Sequence, residues 1–447
     1  METPIFEFVR RYRDQHALRL HMPGHKGEGA LGVEALDITE IEGADVLYGG
    51  DGVIHRSEEN AASLFGSGRT VYSTEGSSLS IRAMLYLALL WGRAQGRRPV
   101  IAAGRNAHKV LMSAAALLDI EIVWLYPTRD ASLLTCEMIP SDLEQSLSAM
   151  REKPIAVYCT SPDYLGNTVD IKGLAQVCHR HGVLLLVDNA HGAYLSFLPV
   201  SAHPMTLGAD MCCDSAHKTL PVLTGGGYLH VSLAAPAMLA EQAERAMALF
   251  ASTSPSYLIL QSLDLVNRYL SDGYAERLAV FAEKMTVCKA HLRSFGYDLI
   301  GQEPLKLTIA PKCMGYTGSE LAEYLAGWGI VCEFSDPDYA VMMLTPEQGT
   351  EAAERLTDAL CRLEGREALI ECPPPLPRAE RAMSIREAML SPCVRLPVSE
   401  CLGRVLADAT VSCPPAVPIL VCGESISEEA VRCFEYYGIT HCVVTEA

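Results

Sequence analysis

Short apolar runs alternate with helical patterns between about Tyr72 and Val231. The apolar runs have the length of buried strands, and the segments between them have the periodicity of helices. The predicted helices are 77–95, 107–118 and 171–181, and the predicted strands are 99–103, 121–125, 154–159, 183–187 and 209–213. This alternation predicts an α/β unit with a largely parallel sheet, which binds its ligands at the carboxyl ends of the strands.

The pattern changes after this unit. Two helical segments, 234–249 and 257–292, lead away from it, and a smaller α/β pattern follows with strands at 305–309 and 330–334 and a helix from Ser319. Proline clusters at 373–377 and 413–418 interrupt the last part of the chain, because proline continues neither helix nor strand. The predicted parts are an N-terminal segment (1–70), a large domain (71–250), a connecting helix with a small α/β domain (251–372) and a C-terminal domain (373–447).

The composition narrows the class of protein. A chain of 447 residues is too long for a single hydrophobic core. Its net charge of −18 argues against a nucleic-acid-binding protein, which needs a basic surface. The same charge favours a cationic substrate. The 16 cysteines form no C-x-x-C pair, which predicts free thiols in a reducing cytosol. The start has no signal-peptide pattern, and no apolar run has the length of a bilayer, so we expect a cytoplasmic protein without a membrane part.

Two charged residues lie where predicted strands end. Asp188 follows strand 183–187, and Lys218 comes shortly after strand 209–213 and before the glycine-rich segment 224–227. A lysine is seldom buried without a function, because removing an ammonium from water costs several kcal/mol. Pyridoxal phosphate requires this pair: the lysine forms an imine with its aldehyde, and the carboxylate keeps its ring nitrogen protonated. The spacing therefore predicts a pyridoxal phosphate site.

Serines near the predicted site suit the cofactor phosphate. Ser77 and Ser78 begin the predicted helix 77–95, where backbone N–H groups and hydroxyls bind anions. An ordinary serine N-cap is the alternative for these two residues. Ser215, three residues before Lys218, is predicted as another phosphate ligand.

Several histidines are candidates for the same site. His108 begins a predicted helix after a buried strand and could stack on the cofactor ring, although a surface histidine is the alternative. His191 follows Asp188 by three positions and is expected at the face or edge of the ring. His217, beside Lys218, is a candidate acid or base. The loop 21–27 contains two histidines without a metal-ligand pattern, so we predict no metal there and a substrate or interface role for His25.

On these residues the chain resembles the Orn/Lys/Arg decarboxylase family of pyridoxal phosphate enzymes, in particular its short bacterial members. The matching segments keep their order over nearly the whole chain and are 21–27, 37–40, 76–78, 105–109, 188 with 190–192, 215–220, 253–257 and 413–418. The resemblance implies a mostly parallel, seven-stranded-type sheet of the aminotransferase fold, a smaller α/β domain and a C-terminal α+β domain. It also implies a homodimer or larger homo-oligomer, with active-site loops in 1–70.

The resemblance assigns roles to the candidate residues. Lys218 corresponds to the Schiff-base lysine, Asp188 to the partner of the pyridine nitrogen and His108 to the ring stacker. The phosphate ligands are Ser77, Ser78 and Ser215, and Ser254 with Ser256 is expected to complete a site across a dimer interface. The distal cation of a basic substrate also needs a carboxylate, for which Glu333 and Glu424 are candidates.

The chain departs from the family on the substrate side. The positions are Asn189 (commonly Glu), Tyr194 (His), Gly225 (Gln), Cys413 (Tyr), Ala416 (Gly) and Cys422 (Pro). The leading prediction is a pyridoxal-phosphate-dependent decarboxylase that converts arginine, lysine or ornithine to its amine and carbon dioxide. An aminotransferase or another lyase remains an alternative, with Arg293 or Arg355 to bind the α-carboxylate. A cofactor-binding regulatory protein without turnover is a third.

Overall fold

The structure is a computed structural model that describes residues 1–126, 136–412 and 417–446. Cys413 and Ala416, in the second proline cluster, lie outside the described residues. The helices are α1 Pro4–Asp14, α2 Val53–Phe65, α3 Gly76–Ala94, α4 Lys109–Leu118, α5 Pro140–Ala149, α6 Ile171–Arg180, α7 Pro204–Leu207, α8 Ala216–Thr219, α9 Ala237–Glu241, α10 Ala243–Ala248, α11 Tyr257–Ser271, α12 Tyr274–Phe295, α13 Gly318–Gly327, α14 Gly349–Cys361, α15 Ile385–Leu390 and α16 Glu428–Tyr436.

The strands fall into one large sheet and three smaller ones. They are β1 Arg69–Ser73, β2 Val100–Gly104, β3 Glu121–Leu125, β4 Ala156–Thr160, β5 Leu184–Asp188, β6 Met211–Asp214, β7 Gly227–Val231, β8 Asp298–Ile300, β9 Lys306–Ala310, β10 Phe334–Ser335, β11 Ala340–Met343, β12 Cys393–Pro397, β13 Thr410–Ser412, β14 Pro418–Val421 and β15 His441–Thr445. Strands β1 to β7 belong to the large sheet, in which β7 runs antiparallel to its neighbours. The predicted α/β fold with a mostly parallel sheet is therefore confirmed.

The chain divides into two compact units, each built from two stretches. The first unit contains Met1–Arg98 and Ile171–Glu276, and the second contains Pro99–Asp170 and Arg277–Ala447. In the first unit the strand order is β1-β7-β6-β5. Because β7 is antiparallel to both β1 and β6, and β5 is parallel to β6, the carboxyl ends of β1, β5 and β6 lie at one edge. This edge carries Ser73, Asp188 and Asp214.

The second unit contains the remaining strands. Strands β4, β2 and β3 pair in parallel, and β10, β11, β9 and β8 form an antiparallel sheet that corresponds to the predicted small α/β pattern. The C-terminal residues add two antiparallel pairs, β12 with β15 and β13 with β14. Among the described residues, no helix is both long and apolar enough to cross a membrane.

Some predicted elements differ from the structure. The helical pattern 257–292 is two helices, α11 and α12, because Gly273 between them has a φ of +66° and ends the helical path. The pattern 234–249 is likewise divided into α9 and α10. Only Phe334 of the predicted strand 330–334 is in a strand, the two-residue β10. Two strands that the apolar pattern did not single out, β1 and β7, complete the sheet of the first unit.

Candidate active site

The start of α3 provides the hydroxyl groups of the predicted phosphate site. Ser215 Oγ donates to Ser77 Oγ over 2.8 Å, and both side chains are buried. Gly76 begins the helix with a φ of +67°, and its N–H donates to Gly225 O. The next N–H groups belong to the first turn of a 19-residue helix, which has no partners for them within the helix. With half-buried Ser78, these groups are donors of the kind that a phosphate needs.

Glycines allow the neighbouring loop to approach this helix start. Gly225 has a φ of +99°, and a Cβ there would lie 2.8 Å from Thr74 O. The glutamine that is common at this position in the family therefore does not fit this backbone. A Cβ on Gly227 would lie 2.7 Å from Asp214 O and 3.3 Å from Ser77 N. The beginning of β7 thus packs directly against the turn that begins α3.

Asp188 is the last residue of β5 and is 2 % exposed. Its Oδ1 accepts from Ala190 N over 3.2 Å and from Cys213 Sγ over 3.6 Å, and Cys213 is its neighbour across the parallel pair. Burial raises the pKa of the Cys213 thiol far above its usual range, so the sulfur keeps its proton and donates it. This buried carboxylate at a strand end has the position expected for the partner of the cofactor nitrogen.

Lys218 lies in the short helix α8, directly after β6. Its Nζ is 3.1 Å from Nε2 of His191, which is 6 % exposed and follows Asp188 by three residues. At this distance one of the two nitrogens donates a hydrogen bond to the other, and the direction depends on which of them carries the proton. The structure therefore brings together Lys218, His191, Asp188, Ser77 and Ser215 in one unit.

His217 has a different surrounding from its neighbour Lys218. Its Nδ1 lies 2.9 Å from Gly226 O, and because a carbonyl only accepts, Nδ1 carries the proton and Nε2 is the basic nitrogen of the neutral ring. Its Cε1 is 3.6 Å from the position of a Cβ on Gly76. The ring of His217 therefore lies beside the start of α3, whereas His191 contacts the lysine amine.

The other sequence candidates occupy separate places. His25, in the first unit, has Nδ1 3.0 Å from Gly27 N and Nε2 3.2 Å from Asp37 Oδ2. In the second unit, His108 is the exposed N-cap of α4, and its Nδ1 accepts from Val110 N. Each ring is thus held through Nδ1 by a backbone N–H group.

The two candidate substrate carboxylates of the second unit differ. Glu333 is exposed, accepts from Tyr164 Oη over 2.9 Å and lines a cleft of about 440 Å³ that also contains Arg355. Glu424 is 4 % exposed, and its Oε2 lies 2.7 Å from Arg105 Nη2. Because Arg105 already binds this carboxylate, Glu424 is not part of the proposed site.

Three residues that the sequence did not single out, Asp214, His203 and His230, form a fully buried polar group in the first unit. The carboxylate of Asp214 lies 3.0 Å from Nε2 of His203 and 3.3 Å from Nε2 of His230, and Asn189 Nδ2 donates to it over 2.7 Å. The available signal was the occurrence of Asp214 and His230 within the apolar strands β6 and β7. Tyr194, the other nearby departure from the family, is fully buried.

Comparison with known proteins identifies the family. The family model described as Orn/Lys/Arg decarboxylase, major domain, matches residues 3–293, which is more than half of the chain. The chain belongs to this family. Arginine decarboxylase of Bacillus subtilis is 28% identical, with coverage of 96% of this chain and 92% of the relative. Arginine decarboxylase of Halalkalibacterium halodurans is 29% identical, with coverage of 96% and 91%.

A solved structure supports the same fold. Lysine decarboxylase of Francisella novicida superposes with a TM-score of 0.80 and 16% identity, over 99% of this chain and 81% of that one. The expectation of a decarboxylase family that acts on basic amino acids is thus confirmed. The family implies pyridoxal phosphate, and the residues at the edge of the first unit fit it: hydroxyls and N–H groups for the phosphate, Lys218 for the aldehyde and Asp188 for the ring nitrogen.

Proposed function

We propose that this protein is a cytoplasmic, pyridoxal-phosphate-dependent decarboxylase that converts arginine to the corresponding amine and carbon dioxide. The observation that carries the proposal is the arrangement of Lys218 with His191, of Asp188, and of the Ser77–Ser215 hydroxyl pair along one strand edge. We further propose a homodimer or larger homo-oligomer, in which Ser254 and Ser256 contribute to the partner's site.

The residues of the first unit hold the cofactor in this proposal. Bound pyridoxal phosphate supplies an electron sink for the electron pair that remains when carbon dioxide departs. Ser77, Ser78 and Ser215, with the first N–H groups of α3, bind the phosphate. Asp188 holds a proton on the ring nitrogen, because an anion in a buried position favours the protonated form of a nearby base.

Lys218 and His191 move protons at the reacting centre. Lys218 Nζ is the amine that anchors the cofactor, and it exchanges its proton with His191 Nε2 at 3.1 Å. The proton that replaces the carboxylate on the substrate α-carbon comes from Lys218. His217, whose Nε2 is basic, assists from the phosphate side, and His108 stacks on the ring.

Arginine is the proposed substrate because two near full-length relatives are named arginine decarboxylase. The net charge of −18 attracts a cationic substrate. Glu333 remains the candidate carboxylate for its distal cation, and His25 remains a candidate on the substrate side.

The test is a panel of arginine, lysine and ornithine, each with and without a 2-oxo acid, assayed for amine and carbon dioxide. We expect arginine to give both products without the 2-oxo acid. A requirement for the 2-oxo acid would establish an aminotransferase, and cofactor binding without turnover of any substrate would establish a regulatory protein. Faster release from lysine or ornithine would correct the substrate.

A substitution of Lys218 tests whether this residue anchors the cofactor. Lys218→Ala is expected to abolish both activity and the visible absorbance of the lysine-bound cofactor, because no other amine replaces Nζ. Lys172→Ala, at an exposed position of α6 in the same unit, is the matched control and should retain both. An unchanged visible band in Lys218→Ala would contradict the assignment.

A further inference from the structure

The carboxylate of Asp214 is the centre of a fully buried polar group, which we call the Asp214 cluster. It consists of Asp214, Asn189, His203 and His230, all of which are 0 % exposed. Oδ1 accepts from Asn189 Nδ2 over 2.7 Å, and Oδ2 lies 3.0 Å from His203 Nε2 and 3.3 Å from His230 Nε2. Burying a carboxylate is unfavourable unless hydrogen bonds are made to it, and Asn189 and His203 make them, whereas Asn189 Oδ1 and His230 Nε2 have no hydrogen-bond partner among the described residues.

The cluster has the composition of a metal site, but its hydrogen bonds indicate otherwise. His203 Nδ1 accepts from Met205 N over 3.3 Å, so the proton of the ring is on Nε2, which faces Asp214. A histidine that binds a metal through Nε2 has to donate through Nδ1, and here Nδ1 accepts. Burial alone would raise the pKa of Asp214, but the two imidazoles outweigh burial and lower it, so the carboxylate is charged.

The Asp214 cluster is connected to Asp188 through residues that are adjacent in β5 and β6. Cys213 and Asp214 are consecutive in β6, so their side chains point to opposite faces of the sheet. On one face Cys213 contacts Asp188, and on the other Asp214 holds Asn189, the next residue after Asp188. The N–H of Asn189 also donates to Cys213 O. The end of β5 is therefore held by the end of β6, four residues before Lys218.

We propose that Asp214 is a positioning residue that, through Asn189, sets the distance between the ends of β5 and β6 and thereby between Asp188 and Lys218. The inference rests on the proposed function, because it concerns the same cofactor site. Asn189 and Asp214 form a matched pair with one negative charge between them. A second carboxylate in this pair repels the first, whereas an amide in place of Asp214 removes the charge that faces His203 but keeps one oxygen as an acceptor.

The test uses isosteric exchanges within the pair. Asn189→Asp places two carboxylates together and should weaken cofactor binding at least ~tenfold, the size expected for directly coupled groups. Asp214→Asn should weaken it less, because shape and most hydrogen bonds are kept. The exchange N189D/D214N restores one charge per pair and should recover most of the loss of Asn189→Asp. The readouts are the dissociation constant for pyridoxal phosphate, from visible absorbance of the purified protein dialysed against graded cofactor, and the visible circular dichroism of the bound cofactor.

Asn267→Asp is the matched control. Asn267 is also a fully buried asparagine of the first unit, with its Nδ2 2.7 Å from Tyr72 Oη, but it lies in α11. We expect a similar loss of thermal stability and a cofactor affinity within about threefold of wild type. Asn189→Asp and Asn267→Asp with equal affinities, or no recovery in the double variant, would overturn the inference while leaving the proposed function intact. A wild-type protein that takes up no cofactor would overturn both.

Discussion

Two buried carboxylates that the sequence singles out, Asp188 and Glu424, have opposite surroundings. Asp188, in the first unit, accepts from a backbone N–H and from the Cys213 thiol, which are neutral donors. Glu424, in the second unit, accepts from the guanidinium of Arg105 and from Val421 N. Neutral donors stabilise an anion without cancelling its charge, whereas an arginine cancels it. Glu424 is therefore paired with a guanidinium, whereas the thiol and the backbone N–H group that donate to Asp188 carry no charge.

The surroundings of Arg105 show how its charge is compensated. The side chain is fully buried, and its Nε and Nη1 have no hydrogen-bond acceptor among the described residues. Its guanidinium lies 5.0 Å from the Trp124 ring centre and 5.9 Å from that of Tyr126, which offers a cation–π contact. The charge of Arg105 is consequently compensated by Glu424, and removal of either partner leaves a buried ion unpaired.

The largest effect is expected at Asp188. Asp188→Asn keeps the shape of the side chain but cannot hold a proton on the cofactor nitrogen, so we expect kcat/KM to fall ~1,000-fold, comparable to loss of a key electrostatic group. Steady-state amine release measures this fall, and thermal unfolding should show a native-like transition. A loss below about tenfold would remove the contrast with Glu424.

Glu424→Gln should act on stability instead. It leaves the guanidinium of Arg105 buried and uncompensated, which costs about 4 kcal/mol of unfolding free energy, while kcat and KM of the folded protein stay within about twofold. Urea denaturation measures the effect on stability, and steady-state kinetics measures the effect on activity. The control replaces the whole pair, R105M/E424L, which should recover most of the stability. A raised KM with unchanged stability would instead show that Glu424 binds the substrate.

The contrast also shows what the sequence could predict. Asp188 and Lys218 were recognisable because each follows an apolar run, and the end of such a run becomes the end of a buried strand. The partner of Glu424 was not recognisable, because Arg105 is 319 residues away in the chain and only the fold brings them together. For the same reason the Asp214 cluster and the Lys218–His191 contact could not be derived from spacing.

Two secondary-structure predictions were wrong because of features of the local sequence. The strand predicted at 330–334 had the right apolar content, but strands are stabilised by their pairing, and only Phe334 and Ser335 pair with β11. The helix predicted at 257–292 contained a glycine that the helical pattern alone did not identify as a break. Family motifs supplied the roles of individual residues, which periodicity does not provide.

Glu58 has the same two types of donor as Glu424, a backbone N–H group and an arginine, and its titration tests the comparison with Asp188. It accepts from Tyr72 N and from Arg69, but burial raises its pKa from about 4.5 to about 7. The folded protein therefore binds this proton more tightly than the unfolded chain, and the stability from Glu58 is complete below pH 4.5 and lost as the pH rises through 7. We expect a loss of up to about 3 kcal/mol of unfolding free energy across this pH range, and Glu58→Gln should remove this part of its pH dependence, measured by urea denaturation at successive pH values.

Glu59→Gln, at an exposed position on the same helix, is the control. An unchanged pH dependence in Glu58→Gln would show that the charge of Arg69 outweighs the effect of burial on Glu58.

The smallest effect is expected at the thiol that donates to Asp188. Cys213→Ala removes one weak donor from the carboxylate, so we expect about tenfold weaker cofactor binding, measured by visible absorbance titration. Cys212→Ala is a close control, because Cys212 is equally buried, is adjacent in β6 and faces the opposite side of the sheet. Both variants should lose about 1 kcal/mol of stability from the lost side-chain volume, but only Cys213→Ala should weaken the cofactor. Equal affinities in the two variants would mean that the Cys213 thiol does not contribute to the role of Asp188 in cofactor binding, and the neutral donor left in the comparison would be Ala190 N.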